Sequence, residues 1–325
     1  MKIAILDDYQ NAVRELKCFQ LLESYDVQVI NQACQAADEL IAAIENAEVL
    51  VLIRERTKID QLMLSRLPKL KLISQTGKIS NHLDLAACTR SNVLVAEGIG
   101  SPIAPSELCW ALVMAASRHI PAYAQNLSNG EWQQSGSLGL GRTLHGLTFG
   151  IWGYGKIGQR VAQYAKAFGM NVLVWGSGGS RKKAVSQGFK AAQDKIQFFQ
   201  EADVLSLHLR LNAVTKGCVT KDDLAVMKSD SLFVNTSRAG LVEKNALYNA
   251  LQSAPSKMAA IDVYDNEPIL DASDPLLSLP NVLCSPHLGY VEKNSYELYF
   301  RVAFENVVNY CEGNPSNIAN SELLL

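Results

Sequence analysis

Three side chains that could together bind a carboxylate and transfer a proton lie in the C-terminal half of the chain, each after a short apolar run. They are Arg238, Glu267 and His287. A guanidinium can hold a carboxylate through two parallel hydrogen bonds, and an imidazole titrates close enough to neutral pH to give or take a proton. Glu267 could bond the other ring nitrogen of His287 and fix its tautomer. The set suits hydride transfer to a 2-oxo acid, in which a carboxylate is held and an alkoxide is protonated.

Each of these three residues also has a purely structural interpretation. Arg238 could form an ion pair, Glu267 could be a surface acid ahead of a proline, and His287 could be a loop histidine with locally satisfied hydrogen bonds. Their shared position favours the chemical interpretation. The carboxyl ends of parallel strands meet at one edge of a sheet, and ligands bind there.

A strand, a glycine turn and a helix are predicted over residues 147–168. An apolar run comes first, apolar residues at helical spacing come last, and Gly153, Gly155 and Gly158 lie between them. This spacing suits a dinucleotide, because the glycines permit a tight turn, a close approach to the pyrophosphate and close packing of helix on strand. The helix N-terminus adds N–H groups and the positive end of its dipole. An ordinary turn between strand and helix is the alternative.

The next predicted strand, at 171–175, is expected to end near the adenosine ribose. An NAD site usually places an acidic residue there, but residues 158–193 contain none. Ser177, Ser180 and Arg181 follow the strand instead and could bond a 2′-phosphate. The sequence therefore favours NADP over NAD. The alternative is that these residues form the solvated, basic start of a helix and that the site discriminates little between NAD and NADP.

Short apolar runs alternate with amphipathic stretches along the whole chain, which predicts an α/β protein with mainly parallel sheets. Two doubly wound sheets are expected, a Rossmann nucleotide domain and a flavodoxin-like substrate domain, with a cleft between them. The predicted strands are 3–6, 27–30, 49–53, 70–74 and 93–96 in the first sheet, and 147–152, 171–175, 204–209, 232–235, 259–263 and 281–285 in the second.

Two cationic side chains follow strands of the first predicted sheet. Arg54 and Lys78 come at equivalent strand ends and could form a pocket for an anionic substrate. Gly77 and Tyr290 complete the predicted substrate contacts. A solvated loop is the alternative for any one of these positions.

The predicted substrate domain is discontinuous and comprises residues 1–100 and 291–325, because the last helix, at about 292–312, has no place in the second sheet. Residues 101–290 form the predicted dinucleotide-binding domain. A helix at 106–119, with Pro105 in its first turn, is apolar over most of its surface and is expected to pack on a second domain or subunit. Residues 126–146 contain five glycines and are predicted to be a connecting loop.

Composition excludes several classes of partner. The chain has 325 residues, a net charge of −2 and a pI near 6.2, so it carries no electrostatic footprint for nucleic acid or an anionic membrane. Its seven cysteines form no C-x-x-C pair, which argues against a disulfide framework and a metal site. The first strand begins at once after Met1, which leaves no room for a signal peptide. We expect a cytoplasmic protein with small-molecule partners.

Five motifs in order resemble the D-isomer-specific 2-hydroxyacid dehydrogenase family. The resemblance implies that Arg238 binds the substrate carboxylate, that His287 is the acid/base and that Glu267 is its partner. It implies cofactor contacts at Thr236 and at Asp262, the latter to the nicotinamide carboxamide, and a homodimer formed near the helix after Pro105. It also implies pyrophosphate binding by the backbone N–H groups of Tyr154, Gly155, Lys156 and Ile157. The motifs are G-Y-G-K-I-G (153–158), D-V-L-S-L-H-L (203–209), V-N-T-S-R-A-G-L-V (234–242), A-I-D-V-Y-D-N-E-P (260–268) and S-P-H-L-G (285–289).

The sequence also departs from the family's pattern. Gly77-Lys78-Ile79 stands where members commonly have G-x-G, and Arg210 stands where a proline usually follows H-L. The first departure leaves the substrate open. Two functions therefore remain: an NAD(P)-dependent reductase of a small 2-oxo acid, such as glyoxylate or hydroxypyruvate, or a nucleotide-sensing protein like the family's corepressors.

Overall fold

The computed structural model describes residues 1–32 and 37–324. The chain folds into two compact units, one formed by Met1–Ser101 with Glu292–Leu325 and the other by Pro102–Val291. The strands are β1 (Lys2–Ile5), β2 (Asp26–Val29), β3 (Val49–Leu52), β4 (Leu72–Gln75), β5 (Leu94–Ala96), β6 (Thr148–Trp152), β7 (Asn171–Trp175), β8 (Lys190–Ala191), β9 (Val204–Leu207), β10 (Leu232–Asn235), β11 (Met258–Ile261) and β12 (Val282–Cys284). The α-helices are α1 (Ala37–Ile44), α2 (Gln61–Ser65), α3 (Leu85–Arg90), α4 (Ile103–Ser117), α5 (Ile120–Ser128), α6 (Lys156–Ala167), α7 (Gly178–Ser186), α8 (Lys195–Glu201), α9 (Lys221–Ala225), α10 (Ala246–Ser253) and α11 (Lys293–Cys311).

The first unit is built on a parallel sheet with strand order β2-β1-β3-β4-β5. Every residue of β3 and β4 is buried, as expected for central strands of a sheet that is covered on both faces. Two of its helices begin at aspartate caps: Asp60 accepts the N–H of Met63 at 3.1 Å, and Asp84 accepts the N–H of Ala87 at 2.9 Å. The C-terminal helix α11 packs on β3 and β4.

The second unit is built on a seven-stranded parallel sheet in the order β12-β11-β10-β9-β6-β7-β8. Helix α4 packs on one face through a buried stripe at helical spacing, which includes Cys109, Leu112, Val113 and Ala116. The other face is covered by α8, α9 and α10. Their buried side chains, which include Phe198 and Phe199 of α8, form a second core. The strand that leads into the glycine turn, β6, therefore lies between two apolar layers.

The predicted fold class is confirmed, since both sheets are parallel and have the two common doubly wound strand orders. Several local predictions differ from the structure. Helix α4 ends at Ser117 rather than 119, because His119 takes a left-handed φ of 52° and a new helix, α5, follows it. The predicted loop 126–146 thus begins inside α5. Helix α10 begins at Ala246, directly after Asn245, which is also left-handed, with φ 61°.

The six described cysteines are free: Cys18, Cys88 and Cys109 are buried, and Cys218, Cys284 and Cys311 are partly buried. Cys34 lies outside the described residues. Among residues 1–32 and 37–324, no group of three or more His, Cys, Asp or Glu side chains could hold a metal ion. The described helices include none that is both long enough and apolar enough to cross a bilayer.

Candidate active site

The structure brings Glu267 and His287 together beyond the carboxyl ends of two neighbouring strands, β11 and β12. Glu267 Oε2 lies 2.5 Å from His287 Nδ1, and both side chains are partly exposed. The other glutamate oxygen accepts the backbone N–H of Tyr264 at 2.8 Å. The carboxylate is therefore oriented on one side by the backbone and on the other by the imidazole, which leaves Nε2 of His287 for a ligand.

The loop that carries His287 is held by hydrogen bonds from β11 and the segment after it. His287 has a left-handed φ of 51°, and its N–H donates to the carbonyl of Ser285 at 3.0 Å. The phenol of Tyr264 donates to the same carbonyl at 3.0 Å. Tyr290 is buried, and its ring packs edge-on against the His287 ring with 5.8 Å between centroids. The ring of His287 is thus fixed by its own loop.

Asp262, predicted to contact the nicotinamide, is fully buried beneath this loop. Its Oδ1 accepts the hydroxyl of Ser285 at 2.6 Å and the N–H of Leu288 at 2.7 Å, and its Oδ2 accepts the N–H of Gly289 at 3.0 Å. Burial raises the pKa of Asp262, while these donors oppose the rise. The Asp262 carboxylate therefore bonds residues both before and after His287 in the loop.

Arg238 follows β10, the strand next to β11, so it starts from the same edge of the sheet as Glu267 and His287. Buried Asn235 shapes the turn: its Nδ2 donates to the carbonyl of Arg238 at 2.9 Å, and its Oδ1 accepts the N–H of Ser237 at 3.1 Å. Arg238 Nη1 donates to the carbonyl of Ser237 at 2.6 Å. Thr236, in the same turn, contacts the buried thiol of Cys109.

The glycine turn has the geometry of a phosphate cradle. Gly153 has a φ of +102°, and a Cβ there would lie 2.4 Å from the carbonyl oxygen of His208. A Cβ on Gly158 would lie 2.2 Å from the carbonyl oxygen of Gly153. Around Gly155, in contrast, no atom of the described residues other than Gly155 and its two chain neighbours lies within 4 Å of a Cβ position. Protein packing thus explains the first and third glycines, and open space for a ligand explains the second.

A dinucleotide fits this turn. Gly155 caps α6, so the N–H groups of Lys156, Ile157 and Gly158 lie in the first turn of the helix, where they have no intrahelical acceptor. The side chain of Tyr154 is buried and donates to Gln187 Oε1 at 2.5 Å, which leaves only its backbone for a ligand. Anionic groups are stabilised at such a helix end by the free N–H groups and the dipole.

The residues predicted to face the ribose lie at the start of α7. Ser177 caps the helix: its Oγ accepts the N–H of Ser180 at 3.2 Å, and its hydroxyl donates to the hydroxyl oxygen of Ser180 at 3.1 Å. The guanidinium of Arg181 lies 4.7 Å from the ring centroid of Trp175, at the end of β7, and donates to the carbonyl of Gln193 at 3.3 Å. The start of α7 therefore carries hydroxyl and cationic groups and no carboxylate.

In the first unit, the predicted substrate residues differ in their surroundings. Arg54 follows β3, has a left-handed φ of 55° and lies with its Cζ 5.8 Å from the ring centroid of Tyr299. Gly77 is buried beneath the Arg54 guanidinium. Lys78 is mostly exposed and pairs with Glu97 at 2.6 Å. Arg54 lies at the end of β3 and Lys78 shortly after the end of β4, so the two predicted cations follow neighbouring strands of the first sheet.

Sequence reasoning missed His208, which follows β9 beside the glycine turn. Its Nε2 lies 3.1 Å from the hydroxyl of Ser206, and burial lowers its pKa to about 4. Gln75 and Thr76 lie at a strand end whose residues are chemically notable in the sequence, the carboxyl end of β4, but sequence reasoning assigned them no site role. The available signal was the same in each case: a polar residue placed directly after an apolar strand.

Comparison with known proteins agrees with this geometry. A family model described as D-isomer specific 2-hydroxyacid dehydrogenase, NAD binding domain, matches residues 110–289. A solved structure of a phosphoglycerate oxidoreductase from Vibrio cholerae O395 is 63% identical, with a TM-score of 0.95 over 96% of this chain and 99% of that one.

Two curated relatives match at lower identity. A D-3-phosphoglycerate dehydrogenase from Methanocaldococcus jannaschii is 33% identical over 87% of this chain and 53% of the relative, so the chain spans about half the length of that protein. A glyoxylate reductase from Aeropyrum pernix is 31% identical over 94% of this chain and 92% of the relative. With the family model, these matches confirm the resemblance seen in the five motifs: the chain belongs to the D-isomer-specific 2-hydroxyacid dehydrogenase family.

Proposed function

We propose that this protein is an NAD(P)-dependent oxidoreductase that interconverts a small 2-oxo acid and the corresponding D-2-hydroxy acid. The observation that carries the proposal is the 2.5 Å contact between Glu267 and His287, beyond the same sheet edge from which Arg238 and the glycine turn extend. The names of the relatives, which include a phosphoglycerate oxidoreductase and a glyoxylate reductase, support the substrate class.

Three side chains have distinct roles in the proposed reaction. Arg238 holds the substrate carboxylate through its planar guanidinium. When bound, a reduced nicotinamide supplies the hydride that adds to the carbonyl carbon. His287 gives a proton from Nε2 to the carbonyl oxygen, and Glu267 holds Nδ1 so that Nε2 carries the mobile proton. In the oxidation direction His287 takes the proton back.

The proposed cofactor is a nicotinamide dinucleotide, with NADP favoured over NAD. Gly153, Gly155 and Gly158 would hold its pyrophosphate against the start of α6. Ser177 and Arg181 would bond the 2′-phosphate, a role that the lack of acidic residues over 158–193 supports. Thr236 and Asp262 are the proposed contacts near the nicotinamide.

The proposed substrate is anionic, with Arg54, Gly77, Lys78 and Tyr290 completing its site. Arg54 is the main candidate among them because it follows β3 at the point where the strand order of the first sheet changes direction. An arginine suits a carboxylate or phosphate because its donors are arranged as a rigid fork.

A panel experiment tests this function against the corepressor-like alternative. The purified protein is titrated with NADPH and NADH while its melting temperature is followed, and each nucleotide is then mixed with glyoxylate, hydroxypyruvate and other 2-oxo acids. We expect a larger stabilisation by NADPH, since a ligand of the folded state raises the melting temperature, and nucleotide oxidation with at least one acid. Nucleotide binding without turnover of any acid would favour the alternative.

A further inference from the structure

The backbone of Arg54 stands in an unusual conformation at a position where ligands bind. Its φ of 55° lies in the left-handed region, which residues with side chains seldom adopt. Arg54 follows β3, and the strand order β2-β1-β3-β4-β5 changes direction between β1 and β3. In doubly wound sheets that point lies beside the ligand crevice. Something in the structure must hold the residue in this conformation.

Two buried side chains at the end of β4 bond both backbone polar groups of Arg54. Thr76 Oγ1 accepts the Arg54 N–H at 3.0 Å, and Gln75 Nε2 donates to the Arg54 carbonyl at 2.5 Å. Gln75 is 0% exposed and Thr76 is 1% exposed, so water does not compete for these bonds. Together they fix the peptide groups on both sides of the Arg54 Cα.

The amide of Gln75 is itself oriented. Its Oε1 lies 3.3 Å from Nε2 of the buried His82, which turns the amide nitrogen toward Arg54. A short chain of buried polar groups therefore runs from His82 through Gln75 to the backbone of Arg54. A side chain without a donor at position 75 would leave the Arg54 carbonyl without this partner.

The guanidinium of Arg54 occupies space that a side chain on Gly77 would fill. A Cβ on Gly77 would lie 2.1 Å from Nη1 and 3.0 Å from Cζ of Arg54. The aromatic ring of Tyr299, on α11, lies 5.8 Å from the same Cζ. Gly77 has no positive φ, so its lack of a side chain is explained by the guanidinium and not by its own backbone.

We propose that Gln75, Thr76 and Gly77 are positioning residues that hold Arg54 ready to bind the anionic substrate. Gln75 and Thr76 set its backbone, and Gly77 leaves room for its guanidinium. The proposal rests on the proposed function, in which Arg54 contacts the substrate.

Kinetics of single and double variants test the role in recognition. Gln75→Met and Gly77→Ala should each raise the KM for the 2-oxo acid by about 10-fold or more with little change in kcat, because misplacing a binding group weakens substrate binding. In an Arg54→Ala background Gln75→Met should not raise KM further, since residues that act through one group are not additive. Ser74→Ala is the matched control: it removes a buried bond from the same strand, to the Ala303 carbonyl at 2.8 Å, without touching Arg54. Full additivity with Arg54→Ala would overturn the proposal.

Crystal structures of the same variants test positioning without relying on activity. In Gln75→Met, Arg54 should leave the left-handed region, and in Gly77→Ala, which changes only the space beside the guanidinium, its side chain should move. An unchanged Arg54 in both would refute the proposal even in a fully active enzyme. If the wild-type protein reduces no 2-oxo acid but Arg54 is displaced in the variants, the proposed function is rejected. The positioning of Arg54 by Gln75 and Gly77 is then still supported.

Discussion

His287 is held in a left-handed conformation, with φ 51°, which costs on the order of 1 kcal/mol for a residue with a Cβ. Its loop is fixed on both sides by Asp262, which accepts the hydroxyl of Ser285 before the histidine and the N–H groups of Leu288 and Gly289 after it. The Tyr264 hydroxyl bonds the Ser285 carbonyl as well. These bonds offset the cost of the conformation and keep the imidazole against Glu267, as a preorganised acid–base pair requires.

The proposed carboxylate clamp predicts a large effect of a conservative change. Arg238→Lys should raise KM and lower kcat/KM by about 10-fold or more, because an ammonium cannot form the two parallel hydrogen bonds of a guanidinium. Steady-state kinetics with the best 2-oxo acid measures both constants. Unchanged kinetics in this variant would reject the role of Arg238.

The partly buried histidine beside the glycine turn, His208, predicts a pH dependence of stability. Burial lowers the pKa of His208 from 6.5 to about 4. Between these values the unfolded chain binds a proton that the folded chain does not, so the free energy of unfolding falls as the pH drops from 6.5 toward 4. The loss is at most about 3 to 4 kcal/mol, because each unit of difference between the folded and unfolded pKa corresponds to about 1.4 kcal/mol.

Melting temperatures at about pH 7 and about pH 5 measure this contribution. His208→Gln should lose less stability between the two pH values than the wild-type protein does. His145→Gln, which changes an exposed histidine of the same unit, is the control and should keep the wild-type dependence. An equal pH dependence in His208→Gln and wild type would contradict the assignment.

Single residues could be predicted from sequence only where a motif marked them. Glu267 and His287 were named because each follows an apolar run, and the structure places them in contact. No site role could be predicted for Gln75 and Thr76, because their role depends on hydrogen bonds to Arg54, more than twenty residues earlier in the chain. No local pattern records such a contact.

At the scale of elements, the strand, turn and helix formed by β6, the glycines and α6 matter most. They could be predicted because apolar periodicity and glycine spacing are local signals. The break between α4 and α5 could not, because it depends on the left-handed conformation of His119, which the helical pattern around it does not indicate. Short helices such as α8 likewise carry too few turns for a clear period.

The glycine turn allows a test of whether its open space belongs to a dinucleotide. Gly155→Ala should weaken nucleotide binding by about 10-fold or more, because the added methyl group enters space where no protein atom lies within 4 Å. Its unfolding free energy should change by less than about 1 kcal/mol, since Gly155 is a helix cap with an ordinary extended backbone.

Gly158→Ala provides the contrast. Its Cβ would lie 2.2 Å from the Gly153 carbonyl oxygen, so we expect a loss of stability of about 1–3 kcal/mol whether or not nucleotide is present. Nucleotide titration and thermal unfolding of both variants give the comparison. Wild-type nucleotide affinity in Gly155→Ala would argue against a pyrophosphate at this turn.

At the scale of the whole molecule, both sheet orders followed from the alternation of strands and helices, because few topologies accommodate parallel strands joined by helices. The second unit also exposes apolar side chains on α5 and the loop that follows it, among them Leu127, Trp132 and Leu140. Asn126 Nδ2 donates to the carbonyl of Gln134 at 3.0 Å, so helix and loop are joined. Exposed apolar side chains that lie together would suit a protein interface.

We expect that surface to form the homodimer that the family resemblance implies. Light scattering should give twice the chain mass of 35.5 kDa for the wild-type protein. Trp132→Glu and Leu140→Glu should shift the protein toward the monomer, because a buried unpaired carboxylate is costly. Val214→Glu, at an equally exposed apolar residue elsewhere in the same unit, should leave the mass unchanged. A monomeric wild type would contradict this expectation.

The most direct test of the central claim, that Glu267 and His287 act as one acid–base unit, is the kcat for 2-oxo acid reduction in Glu267→Gln, His287→Gln and the double variant. We expect each single change to lower kcat by about 10²-fold or more, and the double variant to be little worse than His287→Gln, since the two side chains act as a unit. Nucleotide affinity should stay at the wild-type value in all three. A wild-type kcat in His287→Gln, or losses that multiply in the double variant, would contradict the account.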